Sequence, residues 1–251
     1  LHMSKYIRLF FFLFITAGLL SSCEEEKENQ MLMSVSGSPG EVIVVATTNQ
    51  WNGEIGNTIR SYFEKPVYGM PQQEPLFNVV RTNKSDFKRV FETFRNVLII
   101  DLDTNRFSTG EVTYHKNSYA RGQLVIRIVG SSRDEIISLF EASSKQIIYT
   151  IQSKEFNRLY ADYKAKPNKT IADKLAPLLG VNVTVPQEAV LATSSNEHAW
   201  IRLEREKLKG GFMYDISQGV LIYKFPYTAK TQFLDENLFA LRDSILKTFI
   251  P

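Results

Sequence analysis

The chain has almost no cysteine: a single residue, Cys23, in 251. One thiol cannot form an intrachain disulfide, and it cannot build a cysteine-based metal cluster. Histidine is nearly as scarce, with three residues, His2, His115 and His198, and no His-x-x-x-His spacing. Zinc needs several convergent nitrogen or sulfur ligands, so the sequence predicts no metal site and no cofactor. A Gly-x-Ser-x-Gly elbow for a serine nucleophile is also missing. The Gly37-Ser-Pro-Gly40 stretch precedes a strand, whereas a phosphate-cradling loop follows a strand and opens a helix, so it reads as a linker turn. Net charge is only +3, which excludes the strongly basic surfaces that hold nucleic acid. No apolar run reaches the roughly 20 residues that a membrane-spanning helix requires.

What is present begins with the leader. Met3 reads as the start, with Leu1 and His2 excluded. Lys5 and Arg8 form a positive region, Leu9 to Leu20 an apolar one, and then comes Leu20-Ser21-Ser22-Cys23. The apolar stretch fits a secretory signal. The four residues resemble the lipobox of bacterial lipoproteins, in which the leader is removed and the Cys thiol carries a diacylglyceryl group. That resemblance implies a signal peptide over 1–22, lipidation with fatty acids such as palmitate at Cys23, and a tether over 23–40. Several acyl chains hold a protein on a bilayer where one does not. Without Lys5 and Arg8 the net charge falls from +3 to about +1. Glu24-Glu25-Glu26-Lys27-Glu28 resembles the surface-export signal of Bacteroidetes lipoproteins, and a solvated linker explains the same residues equally well.

The chain as a whole is 43% hydrophobic and rich in Phe and Tyr, as a packed body requires. Glu41–Ala46, Leu76–Arg81, Asn96–Asp101, Glu111–His115 and Gln123–Val129 read as strands. Asn52 reads as the cap of a helix with Ile55, Ile59 and Phe63 on one face. Phe87, Val90, Phe91 and Phe94 predict a second helix over 86–94. Ser132-Arg-Asp-Glu135 is a capping box, and Ile136, Leu139, Phe140, Ser143, Ile147 and Ile151 follow at helical spacing toward Pro167. A short helix from Thr170 closes at Gly180. Strands follow over 181–185, 189–193, 199–205, 212–216 and 220–225, and a last helix starts at Asp235. The expected class is α+β: a mixed or antiparallel sheet with flanking helices. An N-terminal α/β subdomain spans 41–166 and a C-terminal β-rich one spans 167–251, read as truncated at Pro251. Val42–Val45 and its helix look like Val220–Tyr223 and its helix, which suggests two similar subdomains.

Several stretches together carry a family resemblance: Gly37-Ser-Pro-Gly-Glu-Val-Ile-Val-Val45, Trp200-Ile-Arg-Leu-Glu-Arg-Glu206, Gly219-Val-Leu-Ile-Tyr-Lys-Phe-Pro-Tyr227 and Leu241-Arg-Asp-Ser-Ile-Leu-Lys-Thr-Phe-Ile-Pro251. With the lipobox they resemble an uncharacterised Bacteroidetes lipoprotein family, a domain of unknown function of the DUF4837 kind, over nearly the whole mature chain. The resemblance implies an outer-membrane address. It brings no activity and no catalytic residues.

Two groups of residues are candidates for chemistry. Asp101 and Asp103 close a buried-type strand, and acidic pairs at strand ends catalyse reactions in some α/β enzymes; such residues also solvate a strand exit. His198, Trp200, Arg202 and Glu204 share one face of a strand whose other face, Ala199, Ile201 and Leu203, is core-like. An aromatic among charges suits recognition of a partner. The competing reading covers Trp200 with a helix and pairs Arg202 across strands. The expectation is a membrane-anchored envelope lipoprotein acting as a binding or structural module, with a protein or glycan partner and no nucleic acid. The alternative is an envelope hydrolase working through acidic residues.

Overall fold

The computed structural model describes residues 32–70 and 72–249. The predicted leader, the lipidation residue Cys23, the first part of the tether and Ile250-Pro251 lie outside these described residues.

The first sheet has the order β2-β1-β3-β5-β4. β1 (Glu41–Val45), β2 (Asn78–Thr82), β3 (Asn96–Leu102) and β5 (Leu124–Gly130) run parallel, and β4 (Glu111–Lys116) joins β5 antiparallel at the edge. Strands buried on both faces need continuous apolar runs rather than alternation. Val42–Val45 and Val97–Ile100 supply them, all nearly inaccessible to solvent. β5 is buried along its whole length except at Arg127.

Two helices cover one face. α1 (Thr48–Asn52) leads directly into α2 (Glu54–Phe63), and α3 (Arg133–Ala165) follows β5. Ile55, Ile59 and Phe63 of α2 meet Ile136, Phe140, Ile147 and Ile151 of α3 over Val42, Val44, Leu98 and Ile126. The Phe63 and Phe140 rings stand 5.7 Å apart, edge to face. Asn52 does not cap α2. It ends α1, whose own cap is Thr47 in a reciprocal capping box with Gln50, and Gly53 precedes α2 with no side-chain bond. The two helices abut so closely that a Cβ on Gly56 would lie 1.9 Å from the Trp51 carbonyl oxygen.

Phe87, Phe91 and Phe94 cover the other face against Ile43, Val45, Val97, Ile99 and Val125, with Tyr119 beside them. The helix expected over 86–94 does not form. Arg89 takes φ +52, in the left-handed region that ends a right-handed helix, and only Phe91–Thr93 makes a 3-10 turn. The aromatic spacing marks core, but Val90 is exposed.

α3 is one unbroken helix of 33 residues, about 50 Å long at 1.5 Å per residue. Ser132 accepts from the Glu135 amide at 3.2 Å. The return arm of the expected capping box is absent, because the Glu135 carboxylate instead accepts from the Ser131 amide and hydroxyl and from the Gly110 amide, at 2.7 to 2.8 Å.

The second unit is a three-stranded antiparallel sheet of order β6-β7-β8 under one helix. α4 (Lys169–Leu179) begins at its cap Asn168 and ends at Gly180, where φ is +72. Its Ile171, Leu175 and Leu179 bury Ala199, Ile201 and Leu203 of β7 (His198–Lys209). β6 (Val190–Ser194) pairs only with residues 199–202 of β7. Past that point β7 and β8 (Phe212–Tyr223) continue as a two-stranded ribbon to a turn at Gly210-Gly211, both with positive φ. The two strands expected over 212–216 and 220–225 are thus one strand, and 181–185 forms none. The suggested likeness of the subdomains fails on topology: β1 is an inner parallel strand, whereas 220–223 ends an antiparallel ribbon. α5 (Asp235–Phe249) returns to the first unit, where Arg242 donates to the Gly69 carbonyl at 2.9 Å and Phe239 packs on Tyr68. Two sheets of different kinds with segregated helices make an α+β protein.

Candidate functional site

Among the described residues the aromatic segment covers part of the second face of the first sheet. The aromatic segment lies over β1 and β3 and stops at Tyr119, whose ring meets Phe87 edge to face at 5.3 Å. Beyond Tyr119, β4 and β5 line an open groove of about 530 Å³. Register pairs Thr113 with Arg127 and His115 with Val125, so these side chains share the groove floor. Arg106 and Phe107 come in from the loop after β3, with the guanidinium 5.2 Å from the Phe107 ring centre.

Both sequence-predicted carboxylates are found beside this groove, engaged in structure. Asp101 is buried and has three cations around it: Lys84 Nζ at 3.1 Å from Oδ1, and Arg127 and Arg106 at 3.8 and 4.0 Å from Oδ2. Asp103 Oδ1 accepts from the Asn105 and Arg106 amides at 3.0 and 3.2 Å, an Asx turn that shapes the loop presenting Arg106. His115 Nε2 lies 3.0 Å from the Thr113 hydroxyl. Among the described residues no three His, Cys, Asp or Glu side chains converge as a metal site, and no helix is long and apolar enough to cross a membrane.

The second candidate lies on the second sheet, where it passes into the ribbon. Trp200, Arg202 and Glu204 alternate along β7 on the face away from α4. The Arg202 guanidinium sits 5.6 Å from the Trp200 ring centre and hydrogen-bonds Glu204 on the same strand, while Ser217 of β8 donates to Glu204 at 3.0 Å. The Glu204 carboxyl is held below the usual carboxylate range, chiefly by the Arg202 bond and then by Ser217. The half-buried Trp200 indole leans across Gly219, where a Cβ would come within 3.1 Å of Nε1. His198 pairs through Nδ1 with the Ser195 hydroxyl at 2.9 Å.

Residues 35–164, just over half of the chain, match the family model described as Domain of unknown function (DUF8532). The chain belongs to the DUF8532 family. A second model, Domain of unknown function (DUF4837), matches residues 168–251. The DUF4837 resemblance therefore covers the second unit only, not nearly the whole mature chain, and the groove lies in the DUF8532 segment. No curated protein and no solved structure matches the chain.

The DUF8532 segment also holds a polar network that sequence reasoning missed. Where α3 passes the end of the sheet, the Glu155 carboxylate accepts from Arg95 Nη1 at 2.8 Å, Asn96 Nδ2 at 2.6 Å and Arg158. Arg158 also donates to the Arg95 and Gly122 carbonyls, both at 2.9 Å. Burial pulls the Arg158 guanidinium below its usual range, Glu155 pulls it back up, and Arg95 pushes it down again. The Nε atoms of both arginines are buried with no acceptor among the described residues, and both guanidinium groups pair with Glu155. Arg127, also missed, had one signal in the sequence: it is the lone charge in Leu124-Val-Ile-Arg-Ile-Val129, a run otherwise suited to full burial.

Proposed function

We propose that this chain is the folded body of an envelope lipoprotein of the Bacteroidetes type, tethered to the outer membrane through acyl chains on Cys23, and that the body is a binding or structural module rather than an enzyme. The observation that carries the address is the order of residues at the N-terminus: two basic residues, an apolar stretch too short to span a bilayer, then Leu20-Ser21-Ser22-Cys23. Two features support binding over hydrolysis. Asp101 is surrounded by cations and Asp103 is occupied by backbone amides, so neither is arranged as an acid and base flanking a substrate bond. The Trp200, Arg202 and Glu204 face joins an aromatic to a preorganised ion pair, which suits an envelope protein or glycan.

The test compares the parent with Cys23→Ser in cells fed labelled palmitate. The parent is expected to carry label, to lose its leader and to partition into the detergent phase. The Ser variant should do none of these, since a hydroxyl cannot take the thioether-linked lipid. Equal labelling and partitioning of the two proteins refutes the anchor.

A further inference from the structure

The groove beside β4 and β5 holds two guanidinium groups that no acceptor among the described residues satisfies. Lys84 takes one oxygen of Asp101 at hydrogen-bond distance. Arg106 and Arg127 share the other at 3.8 to 4.0 Å, which is Coulombic contact but beyond hydrogen-bond length. Among the described residues neither guanidinium donates a hydrogen bond. The other carboxylates nearby do not change this: Asp103 is spent on the Asn105 and Arg106 amides, and exposed Glu111 on the rim bonds neither arginine. Two forked donors therefore lie against one concave surface, each able to take an oxyanion side-on. The Phe107 and Tyr119 rings stand at the same groove, and His115 with Thr113 offers a polar edge on its floor. Its volume of about 530 Å³ is that of a small-molecule site. It also opens beside Asp101 and Val129, adjacent in register near the carboxyl ends of parallel β3 and β5, the end of such sheets where ligands gather.

From this geometry we infer that the groove binds a small organic acid, with its carboxylate or phosphate on Arg106 and Arg127 and its apolar body against Phe107 and Tyr119. The inference rests on the binding-module reading and names its ligand class; it does not depend on the acyl anchor. Asp101 is then a positioning residue: it draws both guanidiniums to one side of the groove without consuming their donors.

Isothermal titration calorimetry of the full chain in detergent tests this with three probes of one shape: phenyl phosphate, benzoate and the neutral benzyl alcohol. Saturable binding is expected for at least one anion, with a Kd on the order of 1 mM or tighter, and none for the alcohol. Comparing the two anions separates phosphate from carboxylate. Arg106→Gln and Arg127→Gln should each weaken the bound anion about tenfold or more, the scale of one charge-assisted bond lost, while Lys145→Gln on the exposed side of α3 leaves it unchanged. Arg127 neighbours a buried carboxylate, and its loss affects folding too, so Arg106→Gln in the exposed loop decides, with thermal melting confirming that it is folded. The proposal is overturned if neither anion saturates at about 10 mM, if benzyl alcohol binds as well as the anions, or if Arg106→Gln leaves the Kd within about twofold. The palmitate comparison reports on the anchor alone and this titration on the groove alone, so either can fail without the other.

Discussion

Replacing Glu155 with Ala should be among the most damaging single changes in the first unit. The carboxylate accepts from Arg95, Asn96 and Arg158, whose arginine side chains are only 18% and 15% exposed. Without it two half-buried guanidiniums lose the carboxylate they share, and their Nε atoms already lack acceptors among the described residues. Breaking a buried ion pair by removing one partner costs about 3–5 kcal/mol. The residual exposure places this case at the lower end, about 3 kcal/mol. At a urea m-value of about 2–3 kcal/mol/M the unfolding midpoint falls by roughly 1 M. Glu155→Gln keeps one acceptor oxygen but no charge and should lose about half as much. Adding Arg158→Ala to Glu155→Ala should recover part of the loss, because the second change removes one stranded cation. Glu141→Ala, on the exposed side of the same helix, serves as the reference and should stay within about 0.5 kcal/mol of the parent. The reasoning is refuted if Glu155→Ala costs no more than Glu141→Ala, or if the double variant is worse than the two single losses added together.

Three further outcomes are expected. Hydrogen bonds from the Ser131 amide and hydroxyl and from the Gly110 amide hold the Glu135 carboxyl below its ordinary range. Its contribution is therefore full above the ordinary carboxylate pKa of about 4.3 and is lost as pH falls through the lowered folded value, so the Tm gap between parent and Glu135→Gln should be constant near neutrality and close only in acid. A gap that widens on acidification contradicts this. Gly56→Ala places a methyl 1.9 Å from the Trp51 oxygen and must part α1 from α2, so a Tm loss of several degrees is expected, against the slight gain usual for Gly→Ala in a helix. Gly219→Ala brings a Cβ within 3.1 Å of the Trp200 indole nitrogen, and a shift in tryptophan emission should follow; an unchanged spectrum would mean the indole does not rest there.

The parts legible in the sequence were those where one local pattern decides. Val42–Val45 and Val97–Ile100 have no alternative to burial, and the Ile136, Phe140, Ile147, Ile151 stripe has one period. The same stripe continues to Glu155 and Arg158 at the same spacing, but apolar patterning ends at Ile151, so the polar extension went unread. Residues 217–219 fell between two expected strands, but Gly219 lies within β8, where a residue with no side chain leaves room for Trp200 on the neighbouring strand. Val181–Val185 has strand composition, but it joins no ladder among the described residues; the Val185 carbonyl accepts from the Asn168 amide and the Pro167–Pro186 bridge forms beside it. At the site, Asp101 and Asp103 were visible as residues but not as a salt-bridge hub and an Asx turn, since Lys84, Arg106 and Arg127 come from three separate segments. No spacing rule links positions that meet only through the sheet order.

α3 also behaves as a shaft whose angular phase is fixed at both ends. Its first half is keyed to the sheet by Ile136 to Ile151, its middle by Glu155 and Arg158, and its far end by Tyr163, which lies beside Arg205 of β7. One residue inserted after Ile151 would turn everything beyond it by about 100° and advance it about 1.5 Å, disengaging both later keys together. Seven inserted residues would restore the angle to within about 20° but leave the second unit roughly 10 Å farther away. The length of this helix is therefore set as well as its phase: whole-turn steps keep the angle but carry Glu155 and Arg158 along the axis away from Arg95, Asn96 and Gly122.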